Sequence, residues 1–472
     1  MREPFELHRP DAATDRLADL VSGFIADRLR HTPLGRRASA GEMGDLLGGA
    51  ITDEGLGVDA AWDLFQSAVV PNTIGLASER FLAFIPVSPS AAGVWMDAAV
   101  SAANFSAESW LEASGAVAAE NQTLKWLATV VGLPGDSGGC FMSGGSIGNL
   151  SALAVAREQA GGRRGVAVAD TAHASVHNAL HLLGLEPLIV ATDANGRFVA
   201  RALAHALADR ALADRALADR AGIGIVCAAG GSTNAGVVDD LDGLADVCAD
   251  LNLWLHVDAA YGGAALLVDE LRPLFAGIDR ADSVIIDPHK WLFGPIGSCA
   301  VLYRNPAQAA AVHTQHGPYL DVLHDGGGDG DKRGGDGAGG DERGGDWNPS
   351  DYGYQLTRRA SGLPLWFALV THGIAAHRTA IAHAVELTRR CATRLSQLDT
   401  VELITEPQLG VLLFRRAGWG RADWRAWAAR LLADDIAFVA PTTWRGEPVG
   451  RLVFMHPNTP DSIIDELADS LH

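Results

Sequence analysis

An α/β fold built on a large, mostly parallel sheet is what this sequence predicts, and three observations predict it. The first is a repeated pattern in which a short apolar run closes on polar groups, with helix-like sequence in between. Residues 253–257 (LWLHV) run into Asp258, and residues 283–286 (SVII) run into Asp287, His289 and Lys290. Strands buried on both faces read this way. The second is where the runs end. Ligands of open α/β sheets bind beyond the carboxyl ends of the strands, so an acid and an amine delivered to one edge form a candidate active site. The third is size: 472 residues, 48% of them apolar, suit a large domain with smaller flanking pieces.

Taken in order, residues 1–75 read as a helical arm. Thr14 and Asp15 precede LADLVSGFIADRL, which is apolar at every third or fourth position, and a looser helix lies around residues 59–65. Such an arm has little of its own to bury against and is expected to wrap a partner subunit. The large domain is expected over residues 76–375. It holds a helix over 113–130 that Gly132-Leu133-Pro134 stops. Gly144-Gly145-Ser146 then makes a tight turn before an apolar-periodic helix from Asn149. Exposed amides at a helix start bind phosphate without a lysine. Val166–Val168 reads as a short strand, and the helix that begins near Ser175 places His173 at its mouth. His177 and His181 follow at helical spacing, but no carboxylate or third ligand is spaced with them. Both are read as surface or packing histidines, and no metal site is expected.

GIGIVCAAGG is the next strand and ends at Gly231-Ser232-Thr233; the strand CAVLYR and a loop carrying Tyr319 come after Lys290. Residues 376–472 read as a small C-terminal α/β domain. Its helix spans roughly 376–398, its strands lie in VELIT, GVLLFRR and GRLVFMH, and its last helix starts at Ser462. Two stretches stand apart. Residues 205–220 repeat ALADR three times, and leucine at every fifth position does not keep one apolar stripe. An exposed helix or insert without catalytic meaning is expected there. Residues 326–346 are almost devoid of apolar side chains and are expected to be disordered. Their Gly-Asp repeats lack the regular apolar position that calcium-binding coils need.

Composition narrows the function. A formal net charge of -20 argues against nucleic acid as a partner. Five scattered cysteines without CxxC spacing fit reduced thiols in a cytoplasmic protein. No apolar run reaches the length of a membrane span, and the charged MREPFELHRPDAATDRL lacks the apolar core of a secretory signal.

Lys290 alone would be a solvated surface lysine, and His289 a packing histidine. Together with Asp258 they suit pyridoxal phosphate chemistry: a lysine amine condenses with the cofactor aldehyde, and a buried aspartate keeps the pyridine nitrogen protonated, so that the ring draws electrons from the α-carbon. The order DAAYGG (258–263) then DPHKW (287–291) resembles the pyridoxal-phosphate-dependent amino-acid decarboxylases of the aromatic-L-amino-acid, glutamate and cysteine-sulfinate type. Further matches are Glu120 with Trp126, the GGS turn, the pattern around Thr233, Gly236 and Asp239, and residues 351–373 with Arg358 and Arg359. The likeness covers most of residues 60–470 and fails at the ALADR run and the glycine-rich insert.

The resemblance implies fold type I, pyridoxal 5'-phosphate as cofactor, an L-amino acid as substrate, and a homodimer with active sites at its interface. It places the cofactor on Lys290, the ring nitrogen on Asp258, the ring face on His173, and the phosphate on Gly145, Ser146 and His289. Thr233 and Ala260 would pack against the cofactor, and Tyr319 would protonate the α-carbon after carbon dioxide leaves. The sequence departs from the family at Ser78-Glu79 (usually His-Pro), Val87 (often Thr where aromatic amino acids are the substrates), Ala229 (Thr) and Pro364 (commonly Lys). Phe81, Phe84, Ile85 and Val87, with no basic residue among them, favour an aromatic or large apolar substrate over an acidic one. The rival outcomes are oxidative decarboxylation to an aldehyde, transamination, an acidic substrate, and a catalytically silent scaffold. The presence of both Lys290 and Asp258 opposes the last.

Overall fold

The computed structural model describes residues 10–85, 88–214, 222–324 and 347–472. Val87, the 215–220 part of the ALADR run and the 326–346 insert lie outside the described residues.

Seven strands make the main sheet: β1 Gly138–Met142, β2 Gly165–Ala169, β3 Glu186–Val190, β4 Ile223–Ala229, β5 Trp254–Asp258, β6 Ser283–Ile286 and β7 Cys299–Tyr303. Their order is β1-β7-β6-β5-β4-β2-β3. From β3 to β6 neighbours are parallel, whereas β7 is antiparallel to both β6 and β1. The expected apolar runs exist because helices cover both faces of this sheet. On β2, Val166 and Val168 enter one core cluster while Ala167 and Ala169 enter the other, which is the period-two alternation of a strand. Only the edge strand β3 is largely exposed along its length.

The small domain carries a four-stranded antiparallel sheet of β8 Val401–Leu403, β9 Val411–Arg416, β10 Thr442–Trp444 and β11 Glu447–Val453. Phe414 meets Trp424 and Trp427 edge-on at 5.4 and 6.1 Å at its core, the arrangement the ring quadrupoles favour. Strand β10 was not expected. The long helix also differs from expectation: it spans Leu363–Leu395, not 376–398, and breaks at Gly373, where φ is 75°. Pro364 lies in its first turn, where a missing N–H is harmless. Leu363 packs with Val100 and Val117 of the large domain, and Leu387, Cys391 and Leu395 pack in the small one. The helix therefore straddles the expected boundary at 375.

The arm contains Ala12–Arg30, Ala40–Leu47 and Val58–Leu64, the last running into one π-helical turn at Phe65–Val69. The first helix starts ahead of Thr14 and Asp15, with Asp11 as its cap and Thr14 completing the capping box. The second was not foreseen, although Ser39 and Glu42 form its capping box. The helix expected over 113–130 is Trp110–Val131, with non-helical backbone at Ala113. The ALADR run begins within the helix Ala200–Asp214. Among the described residues no helix is long and apolar enough to cross a membrane.

Candidate active site

A cavity of about 400 Å³ opens at the carboxyl ends of β2, β4, β5 and β6. One wall is the start of the helix Gly145–Gln159, which follows β1 directly and has no side-chain cap. Gly145, Ser146 and Ile147 line the cavity there, so the open end of a helix dipole is available to an anion. A Cβ at 145 would sit 2.7 Å from Asp287 Oδ2, so a larger residue there would have to displace that carboxylate. Ser143, just ahead of the turn, donates its N–H to Gln355 Oε1 at 3.1 Å.

Asp258 ends β5. Its Oδ2 accepts from Asn149 Nδ2 at 2.9 Å and its Oδ1 from the Ala260 N–H at 3.2 Å. Ala260 thus lines the cavity and also orients the acid. Lys290 lies beyond β6, with Nζ 3.0 Å from Asp287 Oδ2. Burial alone would lower the pKa of its ammonium; Asp287 and Asp258 together outweigh that and hold it above 10.5. His289 Nδ1 lies 2.6 Å from the Ser298 carbonyl and donates to it, which leaves Nε2 3.8 Å from Asp287 Oδ2. Asp287 Oδ1 and Ser298 Oγ are buried with no hydrogen-bond partner, so this wall retains unspent polar capacity.

His173 is the N-cap of the helix Ala174–Leu183 and lines the cavity, as does Thr233. The Thr233 carbonyl accepts from Arg451 Nη2 at 2.6 Å; the same guanidinium donates to the carbonyls of Phe84 at 2.7 Å and Asn234 at 3.1 Å. Burial brings Arg451 down to about 10. Arg451 therefore joins β11 of the small domain to the cofactor wall and to the Phe84 loop.

The structure brings together all the residues assigned to the cofactor and separates two other groups. Tyr319 is 74% exposed and does not line the cavity. Phe81, expected near the substrate, is instead buried against Phe438 at 5.0 Å, because its loop bridges to the small domain. Phe84 is exposed, with φ of 51°, and Ile85 is half-buried. Sequence reasoning missed Asn149, Ser175, Asp287 and Arg451 as site residues. A polar Asn149 inside an apolar-periodic helix and a charged Arg451 inside GRLVFM were the available signals.

The residues fit pyridoxal phosphate: an uncapped helix start for its phosphate, Lys290 for its aldehyde, Asp258 for its ring nitrogen. The pyridoxal-dependent decarboxylase conserved domain matches residues 63–329. This chain belongs to the pyridoxal-dependent decarboxylase family. It is 34% identical over 343 residues to the aromatic-L-amino-acid decarboxylase of Bacillus atrophaeus, covering 71% of this chain and 67% of that one. To the L-2,4-diaminobutyrate decarboxylase of Rhizobium meliloti (strain 1021) it is 28% identical over 384 residues, covering 79% and 73%. The crystal structure of Oryza sativa TDC with PLP and tryptamine superimposes with a TM-score of 0.86 at 25% identity, covering 100% of this chain and 99% of that one. The decarboxylase thus has fold type I, and its family's chemistry is pyridoxal-phosphate-dependent decarboxylation of amino acids.

Proposed function

We propose that this decarboxylase removes the α-carboxylate of an aromatic or large apolar L-amino acid as carbon dioxide and releases the amine. The observation that carries the reading is the convergence of Lys290, Asp258 and the uncapped helix start at Gly145 on one cavity. Bound pyridoxal phosphate would supply the sink for the electron pair left by the broken Cα–carboxylate bond.

The protein's own groups do the rest. The first amides of the helix Gly145–Gln159 and His289 would hold the phosphate. Lys290 Nζ would hold the aldehyde end once it has given up the proton that Asp287 and Asp258 favour. Asp258, steadied by Asn149 and Ala260, holds a proton at the ring nitrogen. His173 would cover the ring, and Thr233 and Ala260 would pack beside it. Tyr319 returns a proton to the α-carbon, which requires its loop to close from its exposed position and would exclude water as it does so. Phe84 and Ile85 offer apolar surface to the side chain of the substrate.

Two copies are expected to share the work. The helix Ala12–Arg30 buries none of its residues, and Leu17, Val21, Leu46 and Leu47 are exposed along the arm. A second copy would cover them, making a homodimer. The five free cysteines are all buried thiols, which suits a reducing, cytoplasmic setting.

The test is a panel of the twenty common L-amino acids, assayed for carbon dioxide and amine in the presence of pyridoxal phosphate. Release from tryptophan, tyrosine or phenylalanine is expected. Clear preference for an acidic amino acid would overturn the substrate class. Aldehyde with peroxide, or a keto acid without carbon dioxide, would overturn the reaction.

A further inference from the structure

Behind the cavity, six side chains form one unbroken line of hydrogen bonds whose protons have a single consistent order. Trp254 Nε1–H can only donate, and at 3.0 Å it donates to Ser283 Oγ. Ser283 passes its own hydroxyl proton to His256 Nδ1 at 2.9 Å. With Nδ1 accepting, the His256 proton sits on Nε2 and goes to Asn149 Oδ1 at 2.9 Å. Burial favours that uncharged ring, pushing His256 down to about 4 against the opposing pull of Asp258.

The Asn149 amide then turns Nδ2 toward two acceptors, Asp258 Oδ2 at 2.9 Å and Ser175 Oγ at 3.0 Å. Asp258 demands the same orientation independently, because a flipped amide would set oxygen against carboxylate. Ser175, having accepted, gives its hydroxyl proton to His173 Nδ1 at 2.8 Å, where its backbone N–H also donates at 3.2 Å. His173 Nδ1 therefore accepts, and its ring proton lies on Nε2. Asn149, Ser175, His256, Ser283 and Trp254 are all buried, so water does not compete for these bonds.

We infer that Trp254, Ser283, His256 and Asn149 are positioning residues that set two features at once: the N–H donor facing Asp258 and the tautomer of His173. Asp258 fixes the direction of the line by requiring the Asn149 N–H, the indole N–H closes its far end, and Asn149 is the branch point that couples the two outcomes. The proton order rests on geometry alone; its effect on turnover rests on the decarboxylase reading above.

Ser283→Ala removes the acceptor of Trp254 and the donor to His256 together. His256 then loses the donor that holds Nδ1 as an acceptor; with its proton on Nδ1, its bare Nε2 competes with Asp258 for the Asn149 amide N–H. In the fraction where His256 wins that competition, Asn149 Oδ1 turns toward Asp258 and Ser175 and draws the Ser175 hydroxyl away from His173. Ser283→Thr keeps the hydroxyl and should restore the order. The readout is ¹⁵N-imidazole NMR of the full-length protein, with and without pyridoxal phosphate, with signals assigned through His173→Gln and His256→Gln. Both rings are expected as Nε2–H in the wild type and in Ser283→Thr, and His173 should move toward Nδ1–H in Ser283→Ala. In the loaded enzyme, kcat of Ser283→Ala should fall about tenfold, the worth of one hydrogen bond near a charged group, with recovery in Ser283→Thr. A wild-type His173 protonated on Nδ1 overturns the inference, whether or not any variant folds, and so does a His173 signal unmoved by Ser283→Ala. Absence of carbon dioxide release with the expected tautomers in place would instead overturn the decarboxylase reading and leave the proton order standing.

Discussion

Glu120→Leu is expected to lower both stability and cofactor affinity, and the structure sets the size of the first effect. Glu120 and Arg358 form an ion pair whose side chains are 0% and 3% exposed. Glu120 Oε1 accepts from Arg358 Nη1 at 3.3 Å and from the Gly362 N–H at 2.8 Å, while Oε2 takes Arg358 Nη2. Burial opposes the Arg358 charge, and Glu120 outweighs that and raises its pKa. Removing the carboxylate strands a guanidinium among apolar neighbours, a loss of about 3–5 kcal/mol. Unfolding a chain of this length carries an entropy of about 1 kcal/mol/K, so Tm should fall by roughly 3–5 °C.

The pair also matters to the site, because the segment it anchors carries Gln355, which holds the Ser143 N–H ahead of the phosphate turn. Loosening that segment should weaken pyridoxal phosphate binding. Calorimetry of the single variants and of Glu120→Leu with Arg358→Met makes the test. Once both charges are gone, only the Gly362 N–H lacks its partner, about 1–3 kcal/mol. The double variant should therefore be more stable than Glu120→Leu alone. A single variant that loses under about 1 °C, or a double variant that loses the sum of the singles, would refute the reasoning.

Asp258→Asn should retain pyridoxal phosphate, since the asparagine oxygen still accepts from Asn149 or Ala260, but lose about 100-fold or more in kcat with the charge at the ring nitrogen; near-normal kcat would remove Asp258 from its role. Borohydride should fix the cofactor to the peptide containing Lys290. Because the pKa of Lys290 is raised, its amine is charged through neutral pH, so cofactor uptake by the apoprotein should quicken from pH 7 to 9; uptake in Asp287→Asn should be faster at pH 7 and less dependent on pH. A pH-independent wild-type rate would contradict this. Tyr319→Phe should leave substrate binding largely intact and shift product from amine toward aldehyde, and an unchanged amine yield at a normal rate would exclude Tyr319 from the mechanism.

Much of the scaffold was legible because burial on both faces forces a strand to read as an unbroken apolar run. Wherever such a run ended in a polar group, as at Asp258, the sheet edge followed. Lys290 and Gly145 were legible through their order along the chain. What escaped notice depends on contacts between distant parts of the sequence. Asn149 meets Asp258 across 109 residues, and Arg451 meets Thr233 across 218; no local pattern encodes either meeting. Phe81 was misplaced for a related reason, since an apolar loop residue does not disclose which neighbour will cover it. The early start of the helix Leu363–Leu395 was hidden by two residues that usually end helices. Pro364 instead occupies the tolerant first turn, and Gly373 absorbs a left-handed φ at the break.

Asp258 and Asp287 show how one cavity gives two aspartates separate tasks. Both end parallel strands or the turn just beyond, and both face the same space. Asp258 has each oxygen steadied by an N–H, from Asn149 and from Ala260, a partnership that orients it while leaving lone pairs for a ring nitrogen. Asp287 has one oxygen on Lys290 and the other without a partner. Lys290 Nζ is the near partner of Asp287 Oδ2 at 3.0 Å, and His289 Nε2 lies 3.8 Å from the same oxygen, beyond hydrogen-bond reach. Asp287 therefore restrains the free amine, while His289, held through Nδ1 by the Ser298 carbonyl, lines the same cavity where a phosphate would sit.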